Sequence, residues 1–270
     1  MKKMIPKIIH YCWFGDKKPG PIEQKCIASW SKILPDYKIM YWGNECLKDF
    51  DNKYFHQAVE AKKWAFVSDY VRLVALWKYG GMYFDTDEEI VKPLDEFLDH
   101  DFVIGSQRCG SSKEISPALI GTVPHHEIIK HLLDVYEKLE FIKPDGSYNQ
   151  TPNPVIFAKV LKDFYGVKNT YIKKGRVKIT ENCWLYPYTY FCTDNKKAYA
   201  IHHYSGSWRP AWRLRDKFRF KLFGKNYLIR KYKYKIKHGI GEPMPQHDNE
   251  KILFSIPTGL HSWFRLIKVG

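Results

Sequence analysis

The chain predicts an α/β fold with largely parallel strands, on three observations. Over the first ninety residues, short runs of β-branched and aromatic residues alternate with longer stretches of helical periodicity, in the order strand, helix, strand, helix, strand. Proline and glycine signals punctuate the changes. Finally, Gly80-Gly81 separates an apolar helical stretch from a short strand that runs into Asp85-Thr86-Asp87. Sheets of this class bind ligands at the carboxyl ends of their strands, and the acidic pair lies at such an end.

The elements follow in order. Residues 5–13 form an opening strand, after which Phe14-Gly15-Asp16 turns and Pro19-Gly20-Pro21 makes a loop. Residues 22–33 form an amphipathic helix with Ile22, Cys26, Trp30 and Ile33 at helical spacing. Pro35-Asp36 turns into a second strand at 37–42. One long helix covers about 53–79, with Phe66, Tyr70, Leu73 and Trp77 on its apolar face and Gly80 as its stop. In the strand that follows, Tyr83, Asp85 and Asp87 share one face while Met82 and Phe84 take the other. Further on, 102–105 reads as a strand, 126–139 as a helix, and 198–204 as a strand ending in His202-His203-Tyr204.

Composition narrows the function classes. A chain of 270 residues with 44% hydrophobic and 16% aromatic content has ample material for a core and is not a disordered sequence. It contains no run of 18 apolar residues of the kind that crosses a membrane as a helix. The basic start resembles a secretion signal, but Pro6, Lys7 and His10 interrupt it, so a cytoplasmic location is expected. The six cysteines, Cys12, Cys26, Cys46, Cys109, Cys183 and Cys192, form no Cys-x-x-Cys pair, which argues for reduced thiols over a disulfide framework or zinc site. Neither a glycine-rich phosphate loop nor a Gly-x-Ser-x-Gly elbow is present.

The candidate chemistry centres on Asp85 and Asp87. Their bases stand roughly 7 Å apart on an extended strand, so both can lean toward one hard cation and the phosphate oxygens it holds. Mg²⁺ and Mn²⁺ favour such ligands. Asp69 and Arg72 lie three apart on the long helix and share a face. Because that helix is apolar round most of its girth, the pair is either matched inside or turned to a cavity, where a carboxylate acceptor and guanidinium donor suit sugar hydroxyls. Trp13 is either core or a stacking platform for a nucleobase. His202 and His203 are candidates for vacant cation positions, and Gly206, Ser207 and Trp208 for approach and donation to phosphate.

These segments resemble the Asp-x-Asp sugar-transferase family, which includes yeast initiating mannosyltransferases and many bacterial capsule and lipopolysaccharide transferases. A more distant similarity is to the glucosylating domains of large clostridial toxins. The matching stretches are 5–15, 65–73, 79–87 and 201–208, in the family's order. The resemblance implies a GT-A fold: a Rossmann-like domain with a mixed sheet that binds a nucleotide-sugar, UDP-linked by preference, and Mn²⁺ or Mg²⁺. By position it places Trp13 on the base, Asp69 and Arg72 on the donor sugar, and Tyr83 near the nucleotide. It gives Asp85 to ribose and metal and Asp87 to the metal. A late histidine completes the metal shell, His202 before His203, and Ser207 and Trp208 grip the leaving diphosphate. It implies transfer of a hexosyl or N-acetylhexosaminyl group with retention, to a saccharide or lipid-linked oligosaccharide, in bacterial surface polysaccharide synthesis. In such folds 105–195 supplies most of the acceptor site, and Asn153, between Pro152 and Pro154, is a candidate sugar contact.

The charge is uneven. Of the net +15, residues 209–238 contribute +11, with 12 Lys or Arg against Asp216 alone. Trp212, Phe218, Phe220, Tyr227 and Tyr232 are interleaved with these cations. That composition suits an anionic membrane surface. It carries no nucleic-acid motif, and no nucleic-acid partner is expected. The organisation expected is therefore a catalytic domain at 1–208 and a basic, helical extension at 209–270 that attaches to the inner face of a membrane or to the acceptor. Two other function classes fit parts of the sequence. One is a metal-dependent phosphohydrolase built on Asp85, Asp87, Glu88 and Glu89. The other is a non-catalytic basic module.

Overall fold

The computed structural model describes residues 4–109 and 112–206, and beyond them strand segments between 217 and 269. Two compact units result, Met1–Ser205 and Gly206–Gly270.

The first unit contains β1 (Ile8–Cys12), α1 (Pro21–Ile33), β2 (Lys38–Trp42), α2 (Lys53–Glu60), α3 (Trp64–Tyr79), β3 (Gly81–Phe84), β4 (Glu88–Ile90), β5 (Phe102–Cys109) and β6 (Ser112–Thr122). It continues with α4 (Glu127–Tyr136), α5 (Asn153–Tyr165), β7 (Val177–Thr180), β8 (Cys183–Tyr186), α6 (Tyr188–Phe191) and β9 (Ala200–His202). Seven strands make one sheet in the order β2-β1-β3-β6-β5-β8-β7. The β2-β1-β3 part is parallel, as the strand-helix alternation requires. β5 and β6 are separated by two residues, too few for a crossover, and pair antiparallel; β3 pairs antiparallel with β6. The result is the mixed α/β sheet that the resemblance implies.

Alternation along the strands feeds two apolar layers, one on each face. Met82, Phe84, Val103 and Leu119 pack with Trp30 and Leu34 of α1 on one side. Tyr83, Ile104 and Ile120 pack with Val67 and Val71 of α3, Ile128 of α4 and Phe157 of α5 on the other. The two-residue period read from the sequence is therefore the period of the core.

The helix expected over 53–79 is two helices. Asn52 caps the first, accepting from the Phe55 N–H at 2.9 Å. Continuing its buried stripe of Tyr54, Phe55 and Ala58 at helical spacing would carry Lys62 into the core. Lys62 instead takes a left-handed conformation, φ 51°, and stays exposed, and α3 begins at Trp64.

The second unit also departs from expectation. Its described elements are strands, not helices: β10 (Lys217–Leu222), β11 (Lys225–Lys233), β12 (Ile236–Lys237), β13 (Ile240–Gly241), β14 (Glu250–Gly259) and β15 (Ser262–Val269). Four form an antiparallel sheet in the order β10-β11-β15-β14. The reason is legible in Lys217-Phe218-Arg219-Phe220-Lys221-Leu222, which alternates with period two and is rich in strand-favouring aromatics. Among the described residues, no helix is long and apolar enough to cross a membrane.

His10, fully buried in β1, ties the sheet to the turn that leads into β3. Its Nε2 meets the Gly80 carbonyl at 2.8 Å, and the Trp42 indole N–H donates to its Nδ1 at 3.3 Å. One donor and one acceptor are both used, which is the neutral tautomer; a second proton would face the Trp42 N–H. Burial accordingly pushes its pKa from 6.5 down to about 4, against the opposing pull of the Gly80 carbonyl. The unfolded chain therefore binds more protons than the folded one between these values. His10 contributes stability that is complete above pH 6.5 and is lost as pH falls toward 4, up to about 3 kcal/mol. Asp69, raised to about 6, acts in the opposite sense, so the effect is isolated by comparing unfolding free energies of the parent and His10→Gln across this range. The parent should lose more stability on acidification, and an imidazole titrating near its ordinary value by NMR would contradict the assignment.

Candidate active site

Two glycines aim the acidic pair. Gly80 ends α3 at φ 61° and Gly81 opens β3 at φ 92°, both in the left-handed region. A Cβ on Gly80 would lie 2.6 Å from the Pro124 nitrogen, and one on Gly81 would lie 2.6 Å from the Ile8 carbonyl. Only a Gly-Gly pair lets the chain reverse here and enter the sheet beside β1. Trp13 leaves β1 at the same carboxyl edge, half-buried, with its indole N–H donating to the Lys17 carbonyl.

Asp85 and Asp87 do not continue the strand as expected. They lie in a tight turn closed by the Glu88 N–H donating to the Asp85 carbonyl at 3.0 Å. Chain reversal in place of extension starts β4, which pairs antiparallel with β9 in the register Glu88↔His202, Glu89↔Ile201, Ile90↔Ala200. This pairing delivers His202 to the acids. One ligand atom each from Asp85, Asp87 and His202 lie within 4.8 Å of one another, the only such group of three among the described residues. Two hard carboxylates and one imidazole form a donor set suited to Mn²⁺ or Mg²⁺.

The register also separates the two histidines. His202 Nε2 is 3.4 Å from Asp87 Oδ1. His203, the second choice for the metal, instead meets Glu89 at 2.7 Å, and Lys25 meets the same Glu89 oxygen at 2.7 Å. It stands outside the cluster of three. Backbone groups of the following loop fix Asp87: the Ser205 N–H donates to its Oδ2 at 2.8 Å, and the His203 N–H donates to its carbonyl at 3.0 Å. Tyr204 stacks on the His202 ring, with centroids 3.9 Å apart. Ser207 and Trp208 lie outside the described residues.

Asp69 and Arg72 are buried in α3, and the matching is internal. Arg72 Nη2 lies 2.8 Å from Asp69 and 3.3 Å from Asp85, while Nη1 donates to the Pro117 carbonyl at 2.9 Å. The guanidinium rests over the Tyr83 ring at 4.4 Å, and the Tyr83 hydroxyl donates to Asp85 at 3.0 Å. Arg72 thus bridges the sugar-site candidate Asp69 to the metal-site candidate Asp85. Asn153, at the start of α5, is buried near Asp69 but outside hydrogen-bond geometry, and both its amide atoms lack a protein partner among the described residues.

These environments spread the acids apart. Burial raises Asp69 to about 6 despite Arg72, and burial likewise raises Asp85. Asp87 goes the other way: burial opposes its ionisation, but His202 and the Ser205 donors hold it at about 2. For His202 burial favours the neutral form, yet Glu88, Asp87 and Asp85 outweigh it and raise the imidazole to about 9. Two participants were missed as site residues. Tyr204 carried only its place in the segment, and Glu88 entered only as a ligand of the alternative phosphohydrolase.

Residues 20–104 match the family described as a glycosyltransferase sugar-binding region containing the DXD motif. An uncharacterized glycosyltransferase of Acanthamoeba polyphaga mimivirus is 25% identical over 245 residues, covering 84% of this chain and 91% of the viral one. A mannosyl phosphorylinositol ceramide synthase of Saccharomyces cerevisiae is 28% identical over 201 residues, covering 70% of this chain but 50% of its own length. The chain thus spans most of the viral relative and about half of the yeast one. Among solved structures, the PaToxG glycosyltransferase has TM-score 0.44 and 22% identity, over 59% of this chain and 70% of that one.

Arg72 is the test of the internal matching. Arg72→Met should leave Asp69 and Asp85 facing each other unneutralised and cost about 3–5 kcal/mol in denaturant unfolding. Arg72→Lys should recover only part of this, because a compact ammonium on a flexible stem does not reproduce the guanidinium's planar fork. A loss below about 1 kcal/mol for the methionine variant would show the pair to be screened like a surface one.

Proposed function

We propose that this chain, whose residues 20–104 carry the glycosyltransferase sugar-binding region, transfers a sugar from a nucleotide-sugar to a glycan or lipid-linked acceptor with the help of a divalent cation. The observation that carries the reading is the convergence of Asp85, Asp87 and His202 at the carboxyl edge of parallel strands. A cation bound there would act as a Lewis acid on the departing diphosphate.

The chain's own residues do the rest. Asp87, anchored by the Ser205 and His203 backbone, and Asp85, anchored by Tyr83 and Arg72, are held before any ligand arrives, so little reorganisation is needed on binding. Asp69 and the unpartnered amide of Asn153 offer fixed acceptors and donors to sugar hydroxyls. Trp13, half-exposed beyond β1, offers a face to the base. Positioning an acceptor hydroxyl against the anomeric carbon removes part of the entropic barrier. We read the transfer as retaining, the donor as a UDP-linked hexose or N-acetylhexosamine before a GDP-linked one, and the ion as Mn²⁺ before Mg²⁺.

The phosphohydrolase reading is disfavoured by the placement of its other two acids. Glu88 is fully buried and Glu89 is occupied by Lys25 and His203, so the four acids do not gather round one point. A ligand panel separates the readings. A UDP-sugar with Mn²⁺ should raise the melting temperature by several degrees, since a ligand bound only by the native state stabilises it. Asp85→Asn and Asp87→Asn should fold, lose that shift and lose turnover. Wild-type rates in either variant, or phosphate release without acceptor and without sugar preference, would overturn the assignment.

For the acceptor, we infer a lipid-borne one presented at an anionic membrane surface, as in the synthesis of a surface polysaccharide. The support is the +11 segment at 209–238 and the similarity to the yeast mannosyl phosphorylinositol ceramide synthase, whose name specifies a lipid product. The intact chain should co-sediment with phosphatidylserine vesicles at low salt and less at high salt. A triple variant, Lys217→Gln, Arg219→Gln and Lys221→Gln, should bind more weakly. Equal binding to neutral vesicles would remove the electrostatic anchor.

A further inference from the structure

Glu88 is an anomaly that the sugar-transfer reading does not use. Its side chain is completely buried, and neither carboxyl oxygen has a hydrogen-bond partner among the described residues. A buried, unsatisfied carboxyl costs several kcal/mol unless something compensates. Across the β4–β9 ladder it stands directly opposite His202. The Nδ1 of His202 is itself buried and unpartnered, and lies 3.8 Å from Glu88 Oε2. The other ring nitrogen, Nε2, is the one that faces Asp87. Two orphaned groups therefore point at each other on the side of the imidazole away from the acids.

The surroundings hold this arrangement in place. The Trp30 indole of α1 donates to the Glu88 carbonyl at 2.7 Å, and Ser29 accepts from the Ile90 N–H at 2.9 Å, so α1 clamps β4 from one side. Tyr204, stacked on the ring, limits its tilt from the other.

We propose that Glu88 is the positioning residue of the cation site: its carboxyl oxygen accepts a hydrogen bond from the Nδ1–H of His202, fixing the tautomer that presents Nε2 to the ion beside Asp85 and Asp87. The inference rests on the cation reading above and extends it to a residue outside the ligand set. The 3.8 Å separation is longer than a hydrogen bond, so a small rotation of the imidazole or carboxyl closes it as Nε2 engages. Carboxylates placed behind a metal-bound imidazole in this way orient the ring and raise its basicity, and losing one weakens metal affinity roughly 10- to 100-fold.

The test is Mn²⁺ binding by the full chain, without substrate, followed by electron paramagnetic resonance of the free ion and by nitrogen hyperfine coupling from the bound imidazole. Glu88→Leu should bind Mn²⁺ about 10- to 100-fold more weakly and lose or broaden the nitrogen coupling. Glu88→Gln, which keeps an acceptor but no charge, should fall between this and the parent. The double variant Glu88→Leu with His202→Ala should be no weaker than His202→Ala alone, because both act through one imidazole. Affinity within twofold of the parent in folded Glu88→Leu overturns the proposal, as do losses that add in the double variant. If the leucine variant does not fold, unchanged affinity in Glu88→Gln overturns it equally. A parent chain that binds no Mn²⁺, or an Asp87→Asn variant that binds as tightly as the parent, removes the cation site itself, an outcome distinct from a site that works without Glu88.

Discussion

Charge balance in one buried corner governs this molecule. Asp69, Asp85, Asp87 and Glu88 bring four carboxyl groups to the edge of the sheet, and Arg72 and His202 bring two cations. In a low-dielectric setting such an excess of acid cannot simply ionise. Three of the carboxyls respond as expected, with burial pushing Asp69, Asp85 and Glu88 upward. Asp87 escapes because His202 and the Ser205 donors surround it. Carboxyl groups here outnumber cationic side chains four to two, and a cation bound among Asp85, Asp87 and His202 would favour the ionised forms of the acids. The corner is thus electrostatically incomplete in the sense that a cation would complete it, and that is why its acids favour function over an ordinary ion pair.

The geometry supporting this corner was unevenly legible in the sequence. Asp69 and Arg72 could be paired from their spacing, because residues three apart on a helix share a face. The sheet's two faces followed from the alternation of Met82, Tyr83 and Phe84. Gly80-Gly81 was readable as a break, and the backbone shows why: each Cβ would collide with a neighbouring strand or loop. These are local properties, decided within a few residues.

What the sequence left open was decided by contacts between distant segments. Choosing His202 over His203 needed the β4–β9 register, since adjacent strand residues face opposite ways and a one-residue slip would exchange them. The break at Lys62 depended on where the next apolar stripe had to land, which the preceding helix cannot specify. The C-terminal strands were misread as helical because cation content was weighed ahead of the two-residue alternation in Lys217-Phe218-Arg219-Phe220. Glu88 entered only among the four acids of the phosphohydrolase reading, because an extended run from Asp85 does not set it apart from its neighbours.

The turn at Asp85-Thr86-Asp87 reconciles these observations. On a continuing strand, Asp85 and Asp87 would share a face and Glu88 would point away from both. Closing the turn with the Glu88 N–H on the Asp85 carbonyl reverses the chain, so that Glu88 starts a new strand and faces His202 through the ladder. His202 then has Asp87 on one ring nitrogen and Glu88 on the other. An Asp-x-Asp spacing therefore acts here less as two ligands on a strand than as a corner. It places two acids in front of an imidazole and sends a third behind it, and the histidine that links them comes from more than a hundred residues away.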